Sequence, residues 1–175
     1  MSAQPSSKSW SVAAASPWLL LWVWIPLLAA IVLNAVASPR NLLTVGVSLF
    51  VLATGLVLSW AWGRRRIELG DAQLDVLSTF YRKRVALHSL QLERARVVDL
   101  AEHGDYRPRS KSNGFSMPGF RSGHFRLRGG GKAFCLITDA SRVLALPLRD
   151  GSMLLLSPEQ PHALLDELKR SLSSR

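Results

Sequence analysis

Acidic residues are missing from the first third of this chain, and cations are nearly so. Neither Asp nor Glu occurs before Glu68, and only Lys8 and Arg40 carry charge before Arg64. Cysteine is almost as scarce. Cys135 stands alone, which excludes an intramolecular disulfide framework and a cysteine-rich zinc site, and suits a reducing compartment. Catalytic signatures are absent too. No Gly-x-Ser-x-Gly elbow occurs. His88, His103, His124 and His162 lack the i, i+4 or Cys-x-x-Cys spacing of metal ligands and are expected at the surface. Gly129-Gly130-Gly131 joins two strand-like segments and opens no helix, so a turn is expected there and not a phosphate loop. Cys135, between Phe134 and Leu136, is expected to pack in the interior. These absences argue against an enzyme and call for no metal or cofactor.

What is present is two apolar runs, Trp18 to Ala37 and Leu42 to Trp62, neither containing a charge. At ~1.5 Å of helical rise per residue each reaches about 30 Å, the thickness of a bilayer's hydrocarbon core. Only Ser38, Pro39, Arg40 and Asn41 separate them, so the expected form is a transmembrane hairpin with spans 18–37 and 42–62. All 6 tryptophans lie in this part of the chain. Trp18, Trp60 and Trp62 mark the ends of the spans, where amphipathic rings favour the headgroup layer. Lys8 precedes the hairpin and Arg64, Arg65 and Arg66 follow it, against Arg40 alone in the connection. The excess of positive charge places both termini in the cytoplasm and the protein in the cytoplasmic membrane. Ala35-Val36-Ala37 has the form of a signal-peptide cleavage site. The apolar run, however, exceeds the usual core of roughly 7–15 residues, so the first span is expected to be retained.

The remainder suffices for one small domain. Leu69 to Ser78, Tyr81 to Leu87, Leu92 to Leu100, Phe125 to Leu127, Ala133 to Thr138, Val143 to Leu148 and Met153 to Leu156 alternate or are rich in β-branched residues, giving about seven short strands. Pro147 is expected on an edge strand, and Asp150-Gly151 as a hairpin turn. Residues 103–123 hold four glycines and two prolines, and a long irregular loop is expected there. A terminal amphipathic helix carries Leu164, Leu165, Leu168 and Leu172 on one face. Ser157 and Gln160 are expected as its capping box, with Pro158 at its first position. The Ser-rich ends, and with them residues 1–17, are expected to be disordered.

Asn113-Gly114, Pro118-Gly119, Gly123-x-Phe125-x-Leu127, Ala133-x-x-x-x-Thr138-Asp139 and Ser157-Pro158 together resemble bacterial pleckstrin-homology-like (PH-like) domains of small membrane-anchored proteins. The resemblance covers residues 65–172. It implies an α+β, mainly β fold, with two nearly orthogonal antiparallel sheets plugged by the helix, and neither catalytic residues nor a cofactor. In eukaryotic relatives a lysine and a following basic-x-Arg pair hold phosphoinositides. Arg82-Lys83-Arg84 matches the pair, and no lysine precedes it within the domain.

One segment combines cations with apolar residues. Arg107, Arg109, Lys111, Arg121, Arg126, Arg128 and Lys132 occur with no intervening acid, interleaved with Phe115, Met117 and Phe120. Cations beside exposed rings suit an anionic membrane surface or a membrane-associated phosphate-bearing ligand. The plainer alternative is that the rings fold onto the β-core and the arginines are solvated. Two other readings compete. The chain is a subunit of a membrane complex, with Pro26, Asn34, Gly46, Gly55 and Ser59 serving helix contacts, or it binds nucleic acid, for which no motif is present. A reporter active only in the cytoplasm, fused after Arg175, is expected to be active. Activity of an export-side reporter at that position would reverse the orientation.

Overall fold

The computed structural model describes residues 8–13, 18–37, 41–63, 65–78 and 81–173, without the side chains of residues 19, 61 and 62. The chain forms two compact units, Ser16–Arg64 and the remainder.

The first unit is a pair of helices, α1 (Trp18–Ala37) and α2 (Leu42–Gly63). Both are long and apolar enough to cross a membrane. Asn41 Oδ1 accepts the N–H groups of Leu43 (2.7 Å) and Thr44 (3.0 Å), capping α2. Thr44, Ser48, Gly55 and Ser59 recur at helical spacing and meet α1. Asn34 Nδ2 donates to the Thr44 carbonyl (3.0 Å) and to Ser48 Oγ (3.3 Å), and Trp24 Nε1 donates to Ser59 Oγ (3.1 Å). A Cβ on Gly55 would come within 3.0 Å of Leu27 and 3.1 Å of Trp24. Most of the small and polar span positions therefore serve contact within the hairpin. Gly46 instead faces open space.

The second unit is sheet-rich: two sheets and one C-terminal helix. Its strands are β1 (Lys8–Trp10), β2 (Arg65–Leu69), β3 (Gln73–Ser78), β4 (Tyr81–Ala86), β5 (Arg96–Val98), β6 (Pro108–Met117), β7 (Phe120–Leu127), β8 (Lys132–Ile137), β9 (Val143–Pro147) and β10 (Met153–Leu156), closed by α3 (Pro161–Ser173). One sheet has the order β1-β2-β3-β4 and the other β5-β9-β10-β8-β7-β6.

Several expectations are corrected. Residues 8–10, expected to be disordered, form β1 and pair with β2 in the register Lys8↔Leu69 and Trp10↔Ile67. Most of the irregular loop expected over 103–123 is the β6–β7 hairpin. Pro118-Gly119 is its two-residue turn, with Gly119 at φ 75°, and Met117 pairs with Phe120. Pro-Gly in that order suits a type II turn. Gly114 and Gly123 are not breakers but partners across the ladder. A Cβ on Gly114 would lie 2.8 Å from the Ser122 carbonyl oxygen, and one on Gly123 2.7 Å from that of Asn113. Pro147 does not lie on an edge strand, because β9 runs between β5 and β10. The amide nitrogen and carbonyl of one strand residue point the same way, and the Pro147 carbonyl accepts from Gln91 N–H (2.8 Å). Its missing N–H thus faces the β5 side, beyond Ala145, where the β5 ladder has ended. Helix α3 starts at Pro161, and Ser157 is no cap, since its hydroxyl donates to the Asp139 carbonyl (2.9 Å). The sheets are antiparallel apart from the β8–β10 pair, which is parallel.

The six-stranded sheet is apolar on both faces. One face carries Leu136, Leu144, Leu146, Leu154 and Leu156, all fully buried. Ser122, on that same face, meets Ser78 of β3 Oγ to Oγ at 2.8 Å, so the four-stranded sheet packs on this side. The other face holds Val98, Phe125, Cys135, Val143 and Leu155. Since β5 and β6 occupy opposite edges, residues 99–107 must cross the sheet, and they lay Leu100 and Tyr106 on this second cluster. Helix α3 packs on β5 and β9, with Leu164, Leu165 and Leu168 buried and Asp166 and Arg170 exposed. Leu168 is fully buried. Leu168→Asp is expected to cost at least about 3 kcal/mol, because it buries a charge without a partner. Chemical denaturation of the full-length protein in detergent measures this, and a neutral effect would detach α3 from the core.

Candidate functional site

The β-unit has two ends of different chemistry. Continuing the β1–β2 register past Trp10 carries the outgoing chain toward Arg65, where the returning chain enters the domain. The far part of the β6–β7 hairpin lies at this same end. The Arg65 guanidinium sits 5.4 Å from the Phe120 ring centroid, Ser78 bonds Ser122, and the Tyr81 and His124 rings meet edge-on at 6.5 Å. Burial lowers the Arg65 pKa, and the ring beneath it supplies a cation–π contact. The opposite end gathers the turns. Arg149 N–H donates to Ser89 O (2.9 Å), Leu87 N–H to Ala72 O (3.0 Å), and Gly129 N–H to Asp105 O (3.0 Å).

The hairpin divides the candidate residues between these ends. Phe115, at 38% exposure, Met117, half-buried, and Phe120, at 1%, form the tip. Arg121, half-buried beside Ile137, is the one hairpin cation near them. Arg107, Arg109 and Lys111 lie at the base of β6, and Arg126 opposite Lys132 and then Arg128 at the base of β7. The strand from Phe120 to Arg126 is roughly 20 Å long at about 3.3 Å per residue. Rings and basic cluster, interleaved in sequence, are therefore separated in space by more than a Debye length of about 8 Å at physiological salt. Phe120 is a core residue. Arg66 is exposed and pairs with Glu68 (3.1 Å). Trp18 and Trp60 are exposed on their helices. Arg64 and the side chain of Trp62 fall outside the described residues.

The residues matching the phosphoinositide pair are engaged elsewhere. Arg82 Nε donates to both Asp75 carboxylate oxygens (3.0 Å each) and Arg84 Nε to one of them (3.3 Å). The Arg82 bond first, then the charges of Arg82 and Arg84, hold the Asp75 carboxyl below its ordinary value. Cys135 is fully buried, and desolvation pushes its thiol pKa far up, so it stays protonated. His88, His103 and His162 are exposed. His124 is half-buried, its ring 5.1 Å from that of Phe134. Among the described residues no three His, Cys, Asp or Glu side chains gather as a metal site requires.

Two sheets closed by a C-terminal helix, preceded by an apolar helical pair, define the class as a PH-like module on a hairpin of membrane-spanning length. The chain matches the model of the bacterial PH domain family over residues 47–172, well over half its length, and it belongs to that family. The match begins inside α2 and runs almost to the end of α3. No curated protein and no solved structure matches the chain.

Sequence reasoning missed β1 and the arginines Arg94, Arg96 and Arg149. Strand β1 is three residues long, too short for periodicity to register, and Arg149 is distant in sequence from Arg94 and Arg96 and joins them only through the fold. Asp75 yields a pH prediction. A carboxyl whose folded pKa is depressed adds stability above its unfolded value, near 3.8, and loses it as pH falls through the lower folded value. In thermal melts from about pH 5 to pH 2, the wild type is expected to lose its lead over Asp75→Asn. A lead independent of pH would show that the Arg82–Asp75 contact adds nothing.

Proposed function

We propose that the protein is a non-catalytic, membrane-anchored PH module that presents one end of its domain to anionic lipid headgroups on the cytoplasmic side. The observation that carries this reading is the convergence at a single end of the β-unit. The outgoing chain, the returning Arg65, the exposed Phe115 and the half-buried Met117 of the hairpin tip all lie there. A chain that leaves a folded domain after residue 13 and returns to it at residue 65 crosses a bilayer an even number of times, which supports two retained spans with both flanks on one face. Cleavage after Ala37 would strip β1 from its sheet. Arg65 and Arg121 supply charge at this end, beside Arg66 in its pair with Glu68, each cation near an anionic surface contributing about 1 kcal/mol, while Phe115 and Met117 supply apolar area. The cations at the hairpin base, Arg107, Arg109, Lys111, Arg126 and Arg128, stand off from the lipid and give a second, aqueous basic surface.

The test uses the full-length protein in nanodiscs. A bimane label on Phe115→Cys reports tip insertion, with buried Cys135 left unlabelled. Emission is expected to shift to the blue and to be quenched by nitroxide lipid in anionic nanodiscs more than in neutral ones, and the difference is expected to fade as salt shortens the Debye length from ~10 Å at 0.1 M. The same quenching in both compositions, or none, would reject headgroup recognition at this end.

A further inference from the structure

At the end of the domain away from Arg65, a cavity of about 520 Å³ opens between the start of β5, the Gly104–Tyr106 turn and the β9–β10 turn. Its volume falls in the small-molecule range. Arg94, Arg96 and Arg149 line it, together with Tyr106, Ser152 and the side of Met153, and Glu93 is the one carboxylate among the lining residues. We infer that this groove binds a small phosphate-bearing molecule from the aqueous side. It lies apart from Arg82 and Arg84 on β4, which Asp75 occupies.

Three features support the assignment. The arginines are held without being neutralised. Arg96 donates through Nε to Tyr106 Oη (3.0 Å) with its guanidinium carbon 5.0 Å from the ring centroid, and Arg94 Nη1 donates to Gln91 Oε1 (3.3 Å). Among the described residues none of the three is ion-paired, whereas Arg66, Arg82, Arg84, Arg142 and Arg170 each contact a carboxylate. Asp150, beside Arg149 in the turn, is engaged locally. Asp150 Oδ1 accepts the Ser152 N–H (2.8 Å) and hydroxyl (2.6 Å) and so closes its own turn, and among the described residues Asp150 forms no ion pair with Arg149. The Arg149 backbone is fixed by its bond to Ser89 O, and Gly151, at φ 78°, permits the turn. Finally, three planar guanidinium groups offer more paired donors than one carboxylate can accept, and match the several oxygens of a phosphate. Met153 and the Tyr106 ring give the apolar surface for the organic part of such a ligand.

Inorganic pyrophosphate is the probe, titrated calorimetrically into the full-length protein in detergent at fixed ionic strength. One saturable site is expected. Arg96→Gln with Arg149→Gln should weaken it at least tenfold, while Arg109→Gln with Lys111→Gln at the hairpin base should leave it within twofold. Arg149→Gln alone, on an exposed turn, serves if the double variant melts early, and should weaken binding at least threefold. No saturable heat, or equal losses from both variant pairs, would overturn the site and leave only diffuse attraction to a basic surface.

Discussion

Backbone pairing between residues 8–10 and 67–69 joins segments on either side of the two apolar helices, and much of the architecture depends on it. Closing so long a loop costs conformational entropy that grows slowly with length. The cost is reduced when the intervening chain brings its own ends together. The helical unit does so by itself: Trp24 bonds Ser59 and Asn34 bonds Thr44, so α1 and α2 run antiparallel and their outer ends share a side. The β-unit, taken by itself, also has its outgoing and returning strands at one end. Two independent geometries thus make the same demand on the chain. Beyond β1 the pairing continues, with Ala13 N–H on Ser157 O (2.9 Å), Glu159 N–H on Ser11 O (3.1 Å) and Lys8 against Glu167 (3.4 Å). The N-terminal segment therefore binds β2 on one side and the approach to α3 on the other.

The second determinant is Phe120 beneath Arg65. A ring at 1% exposure under a guanidinium fixes the hairpin tip onto the first residue of the β2 strand. Ser78 and Ser122, both fully buried, satisfy one another across the two sheets, which an apolar replacement of only one of them would not allow. Phe115 rests at a tilt against Phe120, ring centroids 6.2 Å apart, and remains partly exposed. The tip is thus supported from within while keeping an apolar outer surface.

Patterning revealed the two long apolar helices, the mainly β domain and the leucine face of α3, because each depends on a pattern that runs for several residues. What it missed was non-local. Glycines in 103–123 signalled irregularity, yet Gly114 and Gly123 are required by the close approach of two strands, a partnership visible only once both are paired. Ser157 and Gln160 satisfied the spacing of a helix cap, but the Ser157 hydroxyl is claimed by Asp139, eighteen positions upstream. Pro147 suggested an edge, because sequence cannot show that β5 stops at Arg96 opposite Ala145. The basic stretch from Arg107 to Lys132 looked like one patch because sequence adjacency stood in for spatial adjacency. A hairpin has two ends.

That last point fixes how charge is distributed over the domain. The Coulomb attraction of an exposed cation fades over a Debye length of about 8–10 Å, less than the separation between tip and base. A cation at the hairpin base therefore contributes little to an event at the tip, and the net positive charge of the chain cannot be assigned to one ligand. At the tip end the relevant groups are few, partly desolvated and beside apolar side chains, the combination that suits an interface between water and lipid. At the far end they are numerous, solvated and, around Arg94, Arg96 and Arg149, gathered in a concave surface where none of these three is ion-paired among the described residues. The two ends of the β-unit thus differ in kind, one pairing few cations with apolar side chains and the other gathering arginines in a concave surface, so each calls for its own ligand chemistry.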